Sequence, residues 1–183
     1  MSFENTIKTP RLKLSVITMD DAEDVFIAMN CENTARIISF MTWPMTMAQA
    51  QDWCQTSVKG AQNKTEMLYI ARRASDNATI GCIGLHHINE ENKASAEVGY
   101  WILPDYEGQG YATEMLKSML TLAFDGLGLQ SVWATAIPTN ARSHRVLEKQ
   151  GFKITGHVVK PVAAPDKIAE RNVYELKKTA YVA

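Results

Sequence analysis

The sequence predicts an α/β protein with a mixed, mostly antiparallel sheet that is flanked by helices. Runs of alternating apolar and polar residues, which are typical of strands, occur near the start, in the middle and near the end of the chain. Segments with apolar residues three and four positions apart, which are typical of amphipathic helices, lie between them. The strands in the middle follow one another through short polar connections, which favours an antiparallel meander. Together these patterns indicate helices packed on one mixed sheet.

The first third of the chain is predicted to hold one strand and two helices. Residues 11–17 alternate between apolar and polar side chains, as a half-buried strand does. The first helix follows Thr18, which can cap it, and has acidic residues in its first turns, where they interact favourably with the helix dipole. The second helix begins at Thr46, because Gln49 three residues later completes a capping box.

Three strands and a helix follow in the middle of the chain. Residues 67–73, 79–88 and 94–103 are the strands of the predicted meander. The helix begins near Tyr111, directly after a turn that contains glycines, and Gly126 marks its end.

The last part of the chain alternates strand and helix. Residues 131–137 predict a buried strand, and the short helix after it ends at Gly151, which suits a left-handed C-terminal cap. Residues 152–158 and 172–176 supply two more strands. The predicted order is therefore strand, two helices, three strands, helix, strand, helix, two strands.

Composition and charge narrow the range of functions. The 183 residues, of which 46% are hydrophobic and 21% charged, suffice for one core, so we expect a single domain over residues 1–183. The net charge of −1 gives no field that attracts nucleic acid or an anionic membrane. The start of the chain lacks a cationic segment followed by an apolar run, and no apolar stretch is long enough to cross a membrane. We therefore expect a cytoplasmic protein.

The cysteines do not predict a disulfide framework or a metal site. Cys31, Cys54 and Cys82 are odd in number, far apart in sequence and without CxxC spacing. We expect them to be ordinary, partly buried thiols, and we expect no bound metal.

The most informative segment is the glycine turn at residues 107–112, between a strand that ends near Leu103 and the helix from Tyr111. Glycines let the backbone turn tightly, and the first amides of the helix face outward with the positive end of its dipole. Such a turn binds phosphate, although a tight connection without a ligand is the alternative. A dinucleotide-binding fingerprint fits poorly because its last glycine is missing, and a P-loop fails because no Gly-Lys-Ser/Thr follows.

The turn, EGQGYA, resembles motif A of the GNAT acetyltransferases, Gln/Arg-x-x-Gly-x-Gly/Ala at a helix start. Gly110 and Ala112 match the two small positions, whereas Glu107 stands where the family usually has Gln or Arg. Several further phrases resemble the RimJ/RimL branch, which acetylates N-terminal residues of ribosomal proteins. They are TPRLKL at residue 9, EVGYWI at 97, GYATE at 110 and NARSHRVLEKQGF at 140. The resemblance spans residues 9 to about 158.

The resemblance implies a GNAT fold whose fourth and fifth strands splay apart around the pantetheine arm of acetyl-CoA. Ile102 and Leu103 then supply backbone groups to that arm, and an amide near Leu103 stabilises the oxyanion. Asn140 contacts the pantetheine arm or the pyrophosphate, although a turn or helix cap is the simpler interpretation. The pyrophosphate lies on a turn formed by Gly108, Gln109, Gly110, Tyr111, Ala112 and Thr113.

Two residues are the candidates for proton transfer. A protonated amine must lose a proton before it can attack, and Glu97 is the candidate base, with a solvent-facing carboxylate as the alternative. Many GNAT enzymes reprotonate the thiolate with a Tyr for which this sequence has Leu147, so Ser143 is the candidate acid, with an exposed helix serine as the alternative. His86 and His87 are adjacent on a strand, so only one of them is expected to face a substrate.

The resulting prediction is direct acetyl transfer from acetyl-CoA to an amine acceptor, without an acyl-enzyme. The leading acceptor is a protein or peptide N-terminus, and the alternative is a small amine such as a polyamine, an amino acid or an aminoglycoside. A silent acyl-CoA-binding module is the rival from another class, and a nucleotide-dependent oxidoreductase is a third interpretation. Phe40 and Trp43 line the acceptor cleft or belong to the core. The oligomeric state, with a homodimer among the alternatives, stays open.

Overall fold

An eight-stranded sheet organises the computed structural model, which describes residues 4–35, 43–90, 94–161 and 168–182. In spatial order the strands are β1-β2-β3-β4-β5-β6-β8-β7. The strands are β1 (Thr6–Lys8), β2 (Leu12–Val16), β3 (Met67–Arg73), β4 (Thr79–His86), β5 (Ser95–Ile102), β6 (Ser131–Ala136), β7 (Lys153–Pro161) and β8 (Ile168–Lys177). The helices are α1 (Ala22–Met29), α2 (Glu32–Ala35), α3 (Met47–Asn63), α4 (Tyr111–Thr121) and α5 (Ala141–Lys149).

The predicted order of elements is confirmed, with two short additions. The strand β1 forms an antiparallel hairpin with β2, and the four-residue helix α2 follows α1. Three or four residues are too few to produce a recognisable periodicity, so neither was predicted. The capping box at α3 is as expected: the Thr46 amide donates to Gln49 Oε1 at 2.8 Å, and the Gln49 amide donates to Thr46 Oγ1 at 3.3 Å.

The strands β2 to β5 form the antiparallel part of the sheet. The strand β3 has the predicted bounds, whereas β4 ends at His86, two residues earlier than predicted. The reason is that His87 has a φ of +52°, a left-handed conformation that stops the extended run.

The strands β5 and β6 are parallel neighbours that diverge. They pair over three positions, from Ser95 opposite Ser131 to Glu97 opposite Trp133. Beyond Glu97, β5 continues to Ile102 paired with β4, while β6 continues to Ala136 paired with β8. The predicted splay of the fourth and fifth strands is therefore confirmed, since these are β5 and β6 once the additional strand β1 is counted. A gap opens in the sheet directly after Glu97.

Each face of the sheet has its own apolar core. The helix α4 packs on one face through buried residues that include Leu116 and Met119. The helices α1 and α3 cover the other face, where Cys54 and Cys82 are buried and Trp101 joins them. All three cysteines are free thiols, as expected. Among the residues that the structure describes, no helix is both long and apolar enough to span a bilayer.

Candidate active site

The glycine turn before α4 has a backbone conformation that favours glycine. Gly108 and Gly110 have φ angles of +74° and +83°, and Gly110 is the N-cap of α4. Other L-residues avoid this region because Cβ approaches the following carbonyl oxygen. A Cβ placed on Gly108 would meet nothing within 4 Å, so the backbone there borders open space. The turn is thus a concave cradle of backbone at a helix N-terminus.

A carboxylate on α4 ties the N-terminal segment to this turn. Glu114 Oε1 accepts hydrogen bonds from Thr9 Oγ1 at 2.6 Å and from the Arg11 amide at 2.9 Å, and Oε2 accepts from Arg11 Nε at 2.7 Å. Arg11 Nη1 also donates to the Gln109 carbonyl at 3.0 Å, and its guanidinium lies 4.3 Å from the centre of the Tyr111 ring. The TPRLKL and GYATE phrases therefore meet in space, a contact that the sequence alone did not predict.

The turn forms one wall of a cavity of about 840 Å³ on the α4 side of the sheet. The other walls are the end of β5 and the first turns of α5. Three cationic side chains of α5 line the cavity: Arg142, Arg145 and Lys149. Arg142 is salt-bridged to Glu107, so the glutamate that departs from the family motif fixes one of these cations. The cavity combines outward-facing amides with positive charge, which suits a phosphate-bearing ligand.

Most of the sequence-predicted coenzyme-binding residues border this cavity. They are Ile102, Gly108, Gly110, Tyr111, Ala112, Thr113 and Asn140. Gln109 is part of the turn but does not line the cavity, and its side-chain amide donates to the Asp105 carbonyl at 2.9 Å. Asn140 also caps α5, because its Oδ1 accepts the Ser143 amide at 3.2 Å.

The expectation for Leu103 needs correction. Its amide donates to the Ile80 carbonyl at 2.9 Å, and its carbonyl accepts the Tyr106 amide at 2.9 Å. Because the backbone groups of a strand alternate in direction, Tyr100 and Ile102 direct theirs toward the gap while Leu103 directs its amide toward β4. The backbone groups placed to pair with an extended ligand therefore belong to Tyr100 and Ile102.

A second cavity, of about 570 Å³, lies on the opposite face of the sheet. We call it the acceptor cleft, and its walls include Trp53 of α3, Glu97 and Trp101 of β5, Lys160 of β7 and Arg171 of β8. Of the residues that the structure describes, three line both this cleft and the α4-side cavity: Tyr100, Trp101 and Ser143. The two cavities thus meet where β5 and β6 diverge.

The residues at this junction include a pair of hydroxyl groups. Tyr100 Oη and Ser143 Oγ are 3.0 Å apart. Burial raises the pKa of Tyr100 to about 12, although the hydrogen bond with Ser143 opposes part of that rise. The phenol is therefore protonated at neutral pH and can donate a hydrogen bond. The sequence predicted Ser143 as the candidate acid but did not predict Tyr100 as its partner.

Glu97 lies in the acceptor cleft at the last paired position of β5 and β6. Its side chain is 15% exposed, and its carboxylate faces Lys160 Nζ at 3.2 Å and accepts a hydrogen bond from Thr135 Oγ1 at 3.3 Å. His87 Nε2 is 3.8 Å from the second oxygen. Burial lowers the pKa of Arg171, which is deeper in the cleft, against the opposing effect of the Glu97 charge. Glu97 is thus held in place by several partners and is not a free surface carboxylate.

The expectation that only one of the two adjacent histidines faces the cleft is wrong. His86 and His87 both line it, because the positive φ of His87 breaks the alternation of the strand. His86 Nδ1 is 3.1 Å from Glu66 Oε2, and His87 Nδ1 is 2.9 Å from Glu90 Oε1.

Phe40 and Trp43 were expected to line the acceptor cleft or to belong to the core. Phe40 lies outside the described residues, and Trp43 is half-buried but does not line the acceptor cleft. Within the described ranges, no group of three or more histidine, cysteine, aspartate or glutamate side chains is arranged to hold a metal ion.

Comparisons with known proteins agree with this geometry. The family model described as an acetyltransferase (GNAT) domain matches residues 11–153. The uncharacterized N-acetyltransferase YoaA of Bacillus subtilis is 28% identical over 172 residues, which cover 94% of this chain and 96% of the relative. The ribosomal-protein-serine acetyltransferase of Escherichia coli is 24% identical over 149 residues, which cover 79% of this chain and 80% of the relative.

A solved structure has the same fold. The spermidine N-acetyltransferase of Vibrio cholerae, in complex with CoA and spermine, superposes with a TM-score of 0.80 at 19% identity and covers 96% of this chain and 100% of the other. The predicted family is confirmed, and with it the expectation of an acetyltransferase. The chain belongs to the GNAT acetyltransferase family.

Proposed function

We propose that this acetyltransferase transfers the acetyl group of acetyl-CoA to the N-terminal amine of a protein or peptide, by direct attack while both substrates are bound. One observation carries the proposal: the α4-side cavity and the acceptor cleft meet at the gap between β5 and β6, where Tyr100, Trp101 and Ser143 line both. A thioester that enters from one face is there accessible to an amine that enters from the other.

The α4-side cavity is the proposed site for acetyl-CoA. The turn from Gly108 to Thr113 presents amides to the pyrophosphate, and Arg142, Arg145 and Lys149 add positive charge. The backbone of Tyr100 and Ile102 pairs with the pantetheine arm in the manner of an added strand. The thioester then supplies the activated acetyl group at the junction.

Glu97 is the proposed base for the acceptor amine. An N-terminal amine has an ordinary pKa of about 8, so most of it is protonated at neutral pH and a carboxylate must take the proton, directly or through water. Glu97 lines the acceptor cleft next to the gap, and the cleft is large enough to admit the end of a peptide.

Ser143 and Tyr100 are the proposed proton donors to the leaving thiolate. Ser143 lies at the junction, and Tyr100 Oη at 3.0 Å supplies a second hydroxyl that can pass a proton along the pair. This arrangement can supply the general acid that the leaving thiolate needs.

The charges in the acceptor cleft favour an acceptor with one amine over a polyamine. Among the residues that the structure describes, three carboxylates line the cleft and each faces a basic group: Glu97 faces Lys160, Glu66 faces His86 and Glu90 faces His87. A polyamine needs several carboxylates to compensate its charges. The similarity to the ribosomal-protein-serine acetyltransferase supports the same choice, whereas the spermidine N-acetyltransferase neighbour keeps a small-molecule amine as the second candidate.

The test is release of CoA thiol from acetyl-CoA with different acceptors side by side: peptides with a free N-terminus, the same peptides with a blocked N-terminus, spermidine and an aminoglycoside. The proposal expects thiol release with the free peptides and none with their blocked counterparts. Faster release with spermidine or the aminoglycoside would replace the proposal with the second candidate. Binding of acetyl-CoA without release for any acceptor would favour a silent acyl-CoA-binding module.

A further inference from the structure

Lys160 occupies the place on Glu97 that the proposed mechanism gives to the acceptor amine. Its Nζ is 3.2 Å and 3.4 Å from the two carboxylate oxygens of Glu97, and it lies 5.2 Å from the centre of the Trp133 ring. The Lys160 side chain is 28% exposed, so it is neither buried out of reach nor free at the surface. The primary amine of Lys160 is therefore in direct contact with the proposed base, Glu97.

The same lysine lines the cleft that opens onto the junction with the α4-side cavity. It lines the acceptor cleft together with Tyr100 and Ser143, which also line that cavity. Glu97 precedes Tyr100 by three residues on β5, a separation of about 10 Å along a strand. Lysine has a flexible four-carbon stem, so rotamer changes can move the Lys160 amine away from Glu97 and toward the junction.

We propose that Lys160 is a self-acetylation site, modified by the enzyme's own acetyl-CoA when no acceptor fills the cleft. The proposal rests on the proposed function of the cleft, because it uses Glu97 as the base. Its product, Nε-acetyl-Lys160, differs from the acetylated peptide that the proposed function yields.

The reaction balances as an ordinary acyl transfer. The Lys160 ammonium gives one proton to Glu97, and the neutral nitrogen attacks the thioester carbonyl carbon. A C–N bond forms and the C–S bond breaks, so that CoA leaves as a thiolate. The nitrogen loses its second proton, one proton returns to the thiolate and the other is released to solvent. No oxidant, reductant or further reactant takes part.

Position, and not exposure, distinguishes Lys160 from Lys153. Lys153 lies on the same strand, β7, and is exposed, but it does not line the acceptor cleft. Holding an amine in the same cleft as a base and an acyl donor raises its effective concentration over an amine in solution. Acetylation also removes the positive charge of Lys160, so the ion pair with Glu97 is lost once the reaction has occurred.

The experiment is incubation of the full chain with acetyl-CoA and no acceptor, followed by intact-mass measurement and mapping of the modified peptide. We expect a gain of one acetyl group, located on Lys160, with a rate constant independent of protein concentration. Lys160→Arg keeps the charge and should abolish the gain, whereas Lys153→Arg should behave as wild type. Glu97→Gln should slow the gain by about 10- to 100-fold, in the lower range of general-base effects.

Three other results would overturn the proposed self-acetylation. They are acetyl groups spread over exposed lysines such as Lys153, a rate constant that rises with protein concentration, and the absence of acetyl-Lys160 in a preparation that acetylates peptides. Acetyl-Lys160 in a preparation that acetylates no peptide would uphold this inference while removing the proposed acceptor. Thermal unfolding of each variant, compared with wild type, separates these outcomes from loss of fold.

Discussion

At the scale of single residues, the proposed proton transfers involve two side-chain pairs. Glu97 with Lys160 lies on the acceptor side, and Tyr100 with Ser143 lies at the junction with the α4-side cavity. The members of each pair are far apart in sequence, and the fold brings them together where β5 and β6 diverge. Each pair yields a prediction about the rate of acetyl transfer.

Replacing Glu97 with Gln should reduce the rate of acetyl transfer most near neutral pH. The amide keeps the shape of the side chain but cannot take a proton, so we expect a loss of about 100-fold near pH 7. The loss should shrink as the pH rises above the N-terminal amine pKa of about 8, since more of the acceptor is then already neutral.

The measurement is turnover against pH for wild type and variant with the same peptide, with calorimetry to establish that CoA binding is unchanged. Glu170→Gln is the matched control, because that carboxylate on β8 is 65% exposed and does not line either cavity. A Glu97→Gln rate equal to wild type at every pH would remove Glu97 as the base.

The hydroxyl pair at the junction should behave as one unit. If Tyr100 and Ser143 pass a proton to the thiolate together, Tyr100→Phe and Ser143→Ala should each lower turnover by about 10- to 100-fold, and the double variant should lose little more than the worse single variant. Tyr181→Phe is the matched control, because it removes a similar hydroxyl pair, with Thr121 at 2.9 Å, away from the site. Fully additive losses would show that the two hydroxyl groups act independently.

At the scale of elements, the start of α4 connects three parts of the molecule. Its glycine turn faces the cavity, Glu114 in its first turn binds the segment that leads into β2, and Arg11 of that segment donates back to the turn. The element that would hold a pyrophosphate is thus supported by charged hydrogen bonds from a distant part of the sequence.

Gly110→Val should weaken CoA binding, because it places a branched side chain on a backbone at φ +83° beside the cavity. The strain is of the order of 1–2 kcal/mol, and the side chain adds bulk where phosphate would approach. Gly128→Val is the matched control: its φ is +71° and its Cβ would meet nothing within 4 Å, but it does not line the cavity. Calorimetry should show lower CoA affinity for Gly110→Val alone; equal affinity for both folded variants would contradict the assignment of the turn.

Glu114→Gln should destabilise the fold in a pH-dependent way. Burial opposes the shift, but hydrogen bonds from Thr9 and Arg11 hold the pKa of Glu114 below the ordinary value of 4.5. A lowered pKa means that the carboxylate stabilises the folded state fully above pH 4.5 and loses this contribution as the pH falls through the folded-state value. We expect a cost of about 1–2 kcal/mol at neutral pH, since a charged hydrogen-bond acceptor is lost.

Urea denaturation of wild type and Glu114→Gln over a series of pH values measures this difference. The exposed Glu148 of α5 provides the control variant, Glu148→Gln, for which little change is expected. A difference between wild type and Glu114→Gln that stays constant into the acidic range would refute the ionic origin of the stabilisation.

At the scale of the whole molecule, the fold was largely predictable and the site partly so. Local patterns located the strands and helices, and the motif segments predicted roles for Glu97, Ser143 and the glycine turn, all of which border one or both of the two cavities. The side chains that contact Glu97 and Ser143 were not predictable from the sequence, because Lys160 is 63 residues from Glu97 and Tyr100 is 43 residues from Ser143. Contacts between such distant residues leave no local periodicity. The orientation of His87 was also not predicted, because it depends on a single left-handed backbone angle that no local sequence pattern indicates.

This acetyltransferase is proposed to modify the N-terminal amine of a protein or peptide at the gap between β5 and β6. The most direct measurement is tandem mass spectrometry of a peptide that has both a free N-terminus and one internal lysine, after incubation with the enzyme and acetyl-CoA. The N-terminal amine, with an ordinary pKa near 8, is far less protonated than the lysine, with an ordinary pKa of about 10.4. We predict one acetyl group, on the N-terminal nitrogen. An acetyl group on the lysine instead, or an unmodified peptide beside rapidly acetylated spermidine, would contradict the account.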